Sequence, residues 1–225
     1  MHTIAHIEND FPEKFGIPRQ SGLVNELIST IVFEPKFRNP DALRGLEEYD
    51  YIWLIWGFEG FGNEGDLTWS PTVRPPRLGG NTHIGVFATR SPNRPNPIAL
   101  SCVKLIDIQS SERGPILLVA GADLRNGTQI YDIKPYLPYT DAHPDALAGF
   151  SSAVMDKKLS VHIPDELRGC MPKDKIKTVE NLLAQDPRPS YHNDPNRVYG
   201  MSYAQYNIQF KVDGDRLTVL SISSK

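Results

Sequence analysis

The chain has 225 residues, 40% of them apolar and 23% charged, with a net charge of −3. That length suits one main domain with a smaller appendage around a sizeable core, and the composition excludes a disordered or collagen-like chain. The small negative charge excludes a global positive field, so nucleic acid would have to be met by local patches.

In chain order, His2–Ile7 and residues 22–32 read as short strands or strand-like entries, with Pro18 and Gly22 marking turns between them. Asn39 followed by Pro40 is a helix start, cap then first helical position, soon stopped by Gly45. Residues 51–58 (YIWLIWGF) are aromatic and β-branched at strand length, which predicts a strand buried on both faces. Further strands are expected at 84–88, 98–107, 115–122 and 129–134. Near residue 165 the pattern changes. Residues 172–185 carry Ile176, Val179, Leu182 and Leu183 as one apolar stripe, opened by Pro172 and stopped by Asp186-Pro187, which predicts a helix. Tyr206, Ile208, Phe210 and Val212 then alternate with polar residues, Asp213-Gly214 signals a hairpin, and 216–222 returns as its partner. Many short strands set off by Gly, Pro and Asn favour a barrel or sandwich over alternating βαβ units.

Cys102 and Cys170 lack metal-ligand spacing and fit a reduced compartment. The start, MHTIAHIENDF, has neither a positive nor an apolar signal region, and the longest apolar run is too short to span a bilayer. A cytoplasmic protein with no membrane association is expected. Gly60-Phe-Gly62-Asn-Glu-Gly65 matches G-x-G-x-x-G, but no helix can follow before Pro71, and no acid stands about 20 residues on. It is read as a loop, not a dinucleotide site. Asp141-Ala-His143-Pro-Asp145 is broken by proline and reads as a polar turn, so no metal is assigned.

Residues 71–100 hold six prolines, three glycines and four arginines (Arg74, Arg77, Arg90, Arg94), with no Asp or Glu. Their backbone must turn rather than coil, and their guanidiniums need an anion from elsewhere in the fold or from a ligand. From residue types alone, an internal ion-pair role and a ligand or nucleic-acid site stay equally open. Asp132, Lys134 and Tyr136 share one face if the segment is extended, giving a carboxylate, an ammonium and a phenol side by side. A solvated strand edge with a surface ion pair is the other reading. Arg188, between two prolines, either is presented to a ligand at low entropic cost or caps the preceding helix.

The phrase RPPRLGGNTHIGVFATRSPNRPNPIALS resembles the TsaA-like (TrmO) family of tRNA methyltransferases. The resemblance continues at IPRQSGLV (17–24), DIKPYLPYTDAHPDA (132–146) and AQDPRPSY (184–191), in order, over nearly the whole chain. It implies a mainly β fold: a small, non-Rossmann β-barrel methyltransferase domain (1–160) with a C-terminal α+β subdomain of helix plus β-hairpin (161–225). It further implies methyl transfer from S-adenosylmethionine to N6 of threonylcarbamoyladenosine at position 37 of tRNA, and a homodimer. For the donor it nominates Gln20, Ser21, Gly22, Phe58, Glu59, Arg90, Leu100, Asp123, Leu124, Arg125 and Asn126. Two departures are Ser21, where the family often has proline, and Glu59-Gly60, where HQ is the usual spelling. It tips Asp132, Lys134 and Tyr136 toward catalysis, Asp132 leading as general base, and Arg74, Arg77, Arg94, Asn96 and Arg188 toward tRNA. Two alternatives stay open: a non-catalytic RNA-binding module, and a barrel methyltransferase acting on a small molecule.

Overall fold

The structure is a computed structural model; it describes all residues except 59, 61–68, 155–157, 190, 191, 193 and 225, and the side chains of 77 and 152–154. Six strands close into an antiparallel barrel: β1 (Ala5–Glu8), β2 (Ile28–Phe33), β3 (Tyr51–Gly57), β6 (Ile98–Ser111), β7 (Gly114–Ala120) and β8 (Gln129–Pro135). Around the barrel the order is β1-β2-β7-β6-β3-β8, and β8 returns to β1 through Ala5↔Ile130. Closure removes the exposed edges that a six-stranded open sheet would carry.

β3 is not buried on both faces as its composition suggests. Ile52, Leu54 and Trp56 point into the barrel, while Tyr51 is exposed and Trp53 and Ile55 are half-buried. The cause is the antiparallel closed sheet: only alternate residues face the lumen. With Ile7, Ile31, Leu117, Val119 and Ile130 they form the barrel core. β6 runs four residues past its expected end, and the register of β3 on β8 shifts between Ile55 and Trp56. Residues 84–88 do not make one strand. β4 (Thr72–Val73) pairs with β5 (Ile84–Gly85), and Val86–Ala88 then turns as a 3-10 helix. The expected start at Asn39 is a 3-10 turn, Pro40–Leu43, with the Asn39 side chain accepting from the Asp41 amide.

Beyond the short α1 (Pro138–Asp141) lie β9 (Ser160–His162), α2 (Asp165–Arg168), α3 (Lys173–Ala184), β10 (Tyr199–Tyr203), β11 (Tyr206–Asp213) and β12 (Arg216–Ser224). The hairpin and helix match the periodicity. β9, parallel to β12, and β10 complete a four-stranded sheet, β10-β11-β12-β9, on which α3 buries Ile176, Val179, Leu182 and Leu183.

Residues 9–27 join the two sheets. Phe11, Val24 and Leu27 belong to the core under α3, not to the barrel core. Lys175 pairs with Asp10, the Ala204 amide donates to Asp10, and Arg19 reaches the Arg188 carbonyl at 2.7 Å. The loop that carries IPRQSG is therefore clamped between barrel and α3. Among the described residues no helix is long and apolar enough to cross a membrane.

Candidate functional site

One end of the barrel opens into a cavity of 710 Å³. Its floor is the end of β3 (Trp56, Gly57, Phe58) and the start of β6 (Ile98, Ala99, Leu100). Its walls are the clamped loop (Lys14 and Ile17 to Gln20), the proline-rich loop (Thr89, Arg90, Pro92, Arg94, Asn96) and the turn after β7 (Asp123, Arg125, with Thr128). Gly57 makes room for the Tyr131 ring, since a Cβ at that position would lie 2.2 Å from its hydroxyl and displace it. Gly121, at φ +78°, lets two loops meet: its carbonyl accepts the Gly22 amide at 2.8 Å, and a Cβ would press on the Gly22 backbone.

Asp123 is the most constrained polar group of the cavity. Trp56 donates its indole N–H to the Ser101 hydroxyl at 2.9 Å, and Ser101 donates onward to Asp123 Oδ1 at 2.6 Å. The Ser21 amide and the charge of Arg90 also act on it. Burial is the larger effect and pushes the Asp123 pKa up, with these partners pulling it back. Arg90 in turn donates to the Gln20 side chain. Among the described residues lining the cavity, Lys14, Arg19, Arg90, Arg94 and Arg125 are cationic and Asp123 alone is anionic. Such a site suits a ligand with anionic groups and one cationic or hydroxyl-bearing part, beside an apolar surface for a flat ring.

The structure thus brings together Gln20, Phe58, Arg90, Leu100, Asp123 and Arg125 around one cavity, with Ser21 and Gly22 just behind it. Leu124 is different: its side chain is wholly buried in the barrel core, and its carbonyl accepts from Asn9. Asn126 likewise ties the turn to residues 9 and 11 and does not line the cavity. Glu59 and most of the glycine motif at 60–65 lie outside the described residues.

Asp132, Lys134 and Tyr136 do share a face, as extended spacing requires, but it is the outer face of the barrel. Asp132 and Lys134 form an exposed ion pair at 2.8 Å, and Tyr136 packs against Tyr51 and Trp53. None of the three lines the cavity. Asp141 accepts the Leu137 amide at 3.0 Å and the Trp53 indole N–H at 2.8 Å, which hold its carboxyl below the usual range, so the DAHPD turn anchors β3 from outside. Among the described residues no three His, Cys, Asp or Glu side chains gather as metal ligands.

Of the arginines nominated for tRNA, Arg94 and Asn96 line the cavity, while Arg74 lies on the β4–β5 hairpin, donating to His83 Nε2 at 3.0 Å. The Arg77 side chain lies outside the described residues. Arg188 does not fit a tRNA role: it is 8% exposed, and its guanidinium makes two bonds to Asp186, at 2.8 and 3.0 Å. Its stiff proline setting positions an internal ion pair. Sequence reasoning does not single out Lys14, Arg19, Trp56 or Ser101. Arg19 falls within IPRQSG, Trp56 within the strand 51–58, and Ser101 closes the phrase that begins at Arg74; Ser101 does not line the cavity but acts on it through Asp123, and only the fold brings Lys14 to the wall.

The chain that builds this barrel and its cationic cavity has clear relatives in sequence and in fold. The sequence matches the tRNA-methyltransferase O N-terminal domain over residues 6–142 and the TrmO C-terminal domain over 156–225. It is 34% identical to the tRNA (adenine(37)-N6)-methyltransferase of Escherichia coli K12, over 99% of this chain and 97% of that one. The enzyme of the same name from Eikenella corrodens is 46% identical over 73% of this chain and 92% of its own. A Pseudomonas aeruginosa relative named as an S-adenosylmethionine-dependent methyltransferase, RcsF, is 39% identical over 88% of this chain and 86% of its own. A crystal structure of TrmO from P. aeruginosa superposes with a TM-score of 0.78 at 30% identity, over 100% of this chain and 98% of that one. The chain belongs to the tRNA-methyltransferase O family and is a methyltransferase of that family.

Proposed function

We propose that the protein transfers the methyl group of S-adenosylmethionine to N6 of threonylcarbamoyladenosine at position 37 of tRNA, in the cytoplasm, as a homodimer. The observation that carries this reading is the cavity built around Asp123 and Arg90. The residues present fit the donor. Arg90 supplies a cation for its carboxylate, Asp123 an anion beside its sulfonium, and Trp56, Phe58 and Leu100 an apolar surface for its adenine. Bound there, S-adenosylmethionine supplies an electrophilic methyl group. The remaining work falls to the chain. Gln20, held by Arg90, orients the donor side of the pocket, and the Trp56–Ser101–Asp123 relay fixes the carboxylate before any ligand arrives.

An N6 that carries a carbonyl group holds its lone pair poorly and must lose its proton. Asp123 lines the cavity and its pKa is raised, which makes it the better proton acceptor. Asp132, on the outer wall and paired with Lys134, is placed to orient that lysine rather than to reach the cavity. Arg94, with Lys14 and Arg19, meets the phosphates beside the target nucleotide. The division into a barrel of 1–160 and an appendage of 161–225 belongs to the same proposal, residues 9–27 serving as the joint.

Transfer of labelled methyl from the donor to tRNA with and without the threonylcarbamoyl group tests the reading. Label is expected only on the modified tRNA. Equal labelling of both, or labelling of free nucleosides alone, would contradict it.

A further inference from the structure

The proline-rich segment carries a second feature beside its arginines. Trp69 and Phe87 lie on the two arms of the β4–β5 hairpin, just below its ladder, with ring centroids 5.9 Å apart and planes tilted by 30°. Phe87 is 71% exposed and Trp69 39%. The backbone beneath them is fixed: the Val86 amide donates to Pro71 at 3.0 Å, and Val86 itself is buried. A large exposed aromatic pair on a rigid base is costly unless something covers it.

Three observations point to the cover. First, charge: residues 67–106 contain no Asp or Glu, and Arg74, Arg90 and Arg94 all lie in that span, so the surroundings favour an anionic partner. Second, place: Thr89 and Arg90, two and three residues past Phe87, already line the cavity. Extended chain covers at most about 3.5 Å per residue, so the Phe87 backbone lies within roughly 7 Å of the cavity wall. Third, chemistry: an aromatic face beside cations is the surface on which unpaired bases stack while their phosphates are neutralised. Arg74, exposed on the same hairpin, is held by His83, whose other ring nitrogen meets Thr72.

We infer that Trp69 and Phe87 form a stacking platform for an unpaired base of single-stranded RNA, the neighbour of the nucleotide entering the cavity. This rests on the proposed tRNA reading and deepens it. The cavity fixes the target, and the platform selects targets in an unpaired loop over those in a duplex, where the neighbouring base is already stacked.

The test is binding of an anticodon stem-loop RNA by Phe87→Ala, Phe87→Trp and Trp69→Phe, with S-adenosylmethionine affinity and molecular mass measured alongside. Phe87→Ala should weaken RNA binding by about 5- to 150-fold, the loss of one stacked base. Phe87→Trp should restore it, and Trp69→Phe should bind nearly as the wild type. Stacking releases no counterions, so the salt dependence in Phe87→Ala should keep its slope, unlike loss of a phosphate contact. Donor affinity and mass should not change. Unaltered RNA affinity in Phe87→Ala would overturn the inference. So would a fall in mass that accompanies the loss, since the pair would then pack against a second copy of the chain. A wild-type chain that binds the donor and no RNA would refute the parent reading, and the platform with it.

Discussion

Removing the Arg90 guanidinium should weaken S-adenosylmethionine binding by about tenfold at neutral pH, and by more as the pH falls. A charge-assisted hydrogen bond to a ligand carboxylate contributes about 1.5–3 kcal/mol. Arg90 is exposed, so solvent screening puts it at the lower end, roughly a factor of ten in Kd. Two further effects follow from its neighbours. Arg90 holds the Gln20 side chain, so Arg90→Ala and Gln20→Ala should be non-additive, with a coupling of about 0.5 kcal/mol or more. Arg90 also lowers the pKa of Asp123 against the upward push of burial. Without it Asp123 takes up its proton at a higher pH, and the ratio of mutant to wild-type Kd should grow toward acid. Calorimetry of the two single mutants and the double mutant at several pH values reads all three effects. Additive losses with no pH trend would refute the claim that Arg90, Gln20 and Asp123 act as one unit.

Asp123→Asn should lower turnover at saturating donor by roughly 10²–10⁴ if Asp123 takes the N6 proton, and Asp132→Asn should leave turnover near normal. The reverse pattern would move the base to the outer wall. Because burial raises the folded-state pKa of Asp123, ionising it costs stability, and that cost sets in as pH rises above the unfolded value. Asp123→Asn should therefore melt no lower than the wild type at pH 7, and a clear fall in Tm would contradict this. Arg188→Ala should lower stability by about 1–3 kcal/mol, read by denaturant unfolding, because it strips Asp186 of its partner, and should leave the salt slope of tRNA binding alone. Arg94→Gln should flatten that slope by about one unit and, since Arg94 also donates to the Thr89 and Ser91 carbonyls, cost about 0.5–1.5 kcal/mol of stability; an unchanged slope would remove Arg94 from phosphate binding.

Much of the fold was legible where a period or a turn dictates it. The α3 stripe, the Asp213-Gly214 hairpin and the strand-rich first half follow from spacing alone. The composition of β3 suggests burial on both faces, because Tyr51, Trp53 and Ile55 are residue types of a core. In a closed barrel they face outward, and Trp53 is satisfied there by Asp141. β9 was not legible, since three residues whose partner lies more than fifty positions away carry no local signal. Gln20, Arg90, Leu100 and Asp123, which the resemblance nominates from four separate phrases, line one cavity. The spacing of Asp132 and Lys134 gives one face, but it cannot say which side of a barrel wall that face is. Arg188 looked presentable between its prolines; only the fold shows Asp186, at φ +50°, turned to hold it.

Mass spectrometry of nucleosides from tRNA incubated with the protein and S-adenosylmethionine tests the central claim most directly. The account predicts that threonylcarbamoyladenosine is converted to its N6-methylated form at position 37, and that Asp123→Asn slows the conversion by roughly 10²–10⁴. Unmodified threonylcarbamoyladenosine after incubation with folded, donor-binding protein would contradict it, as would a methyl group on any other nucleoside.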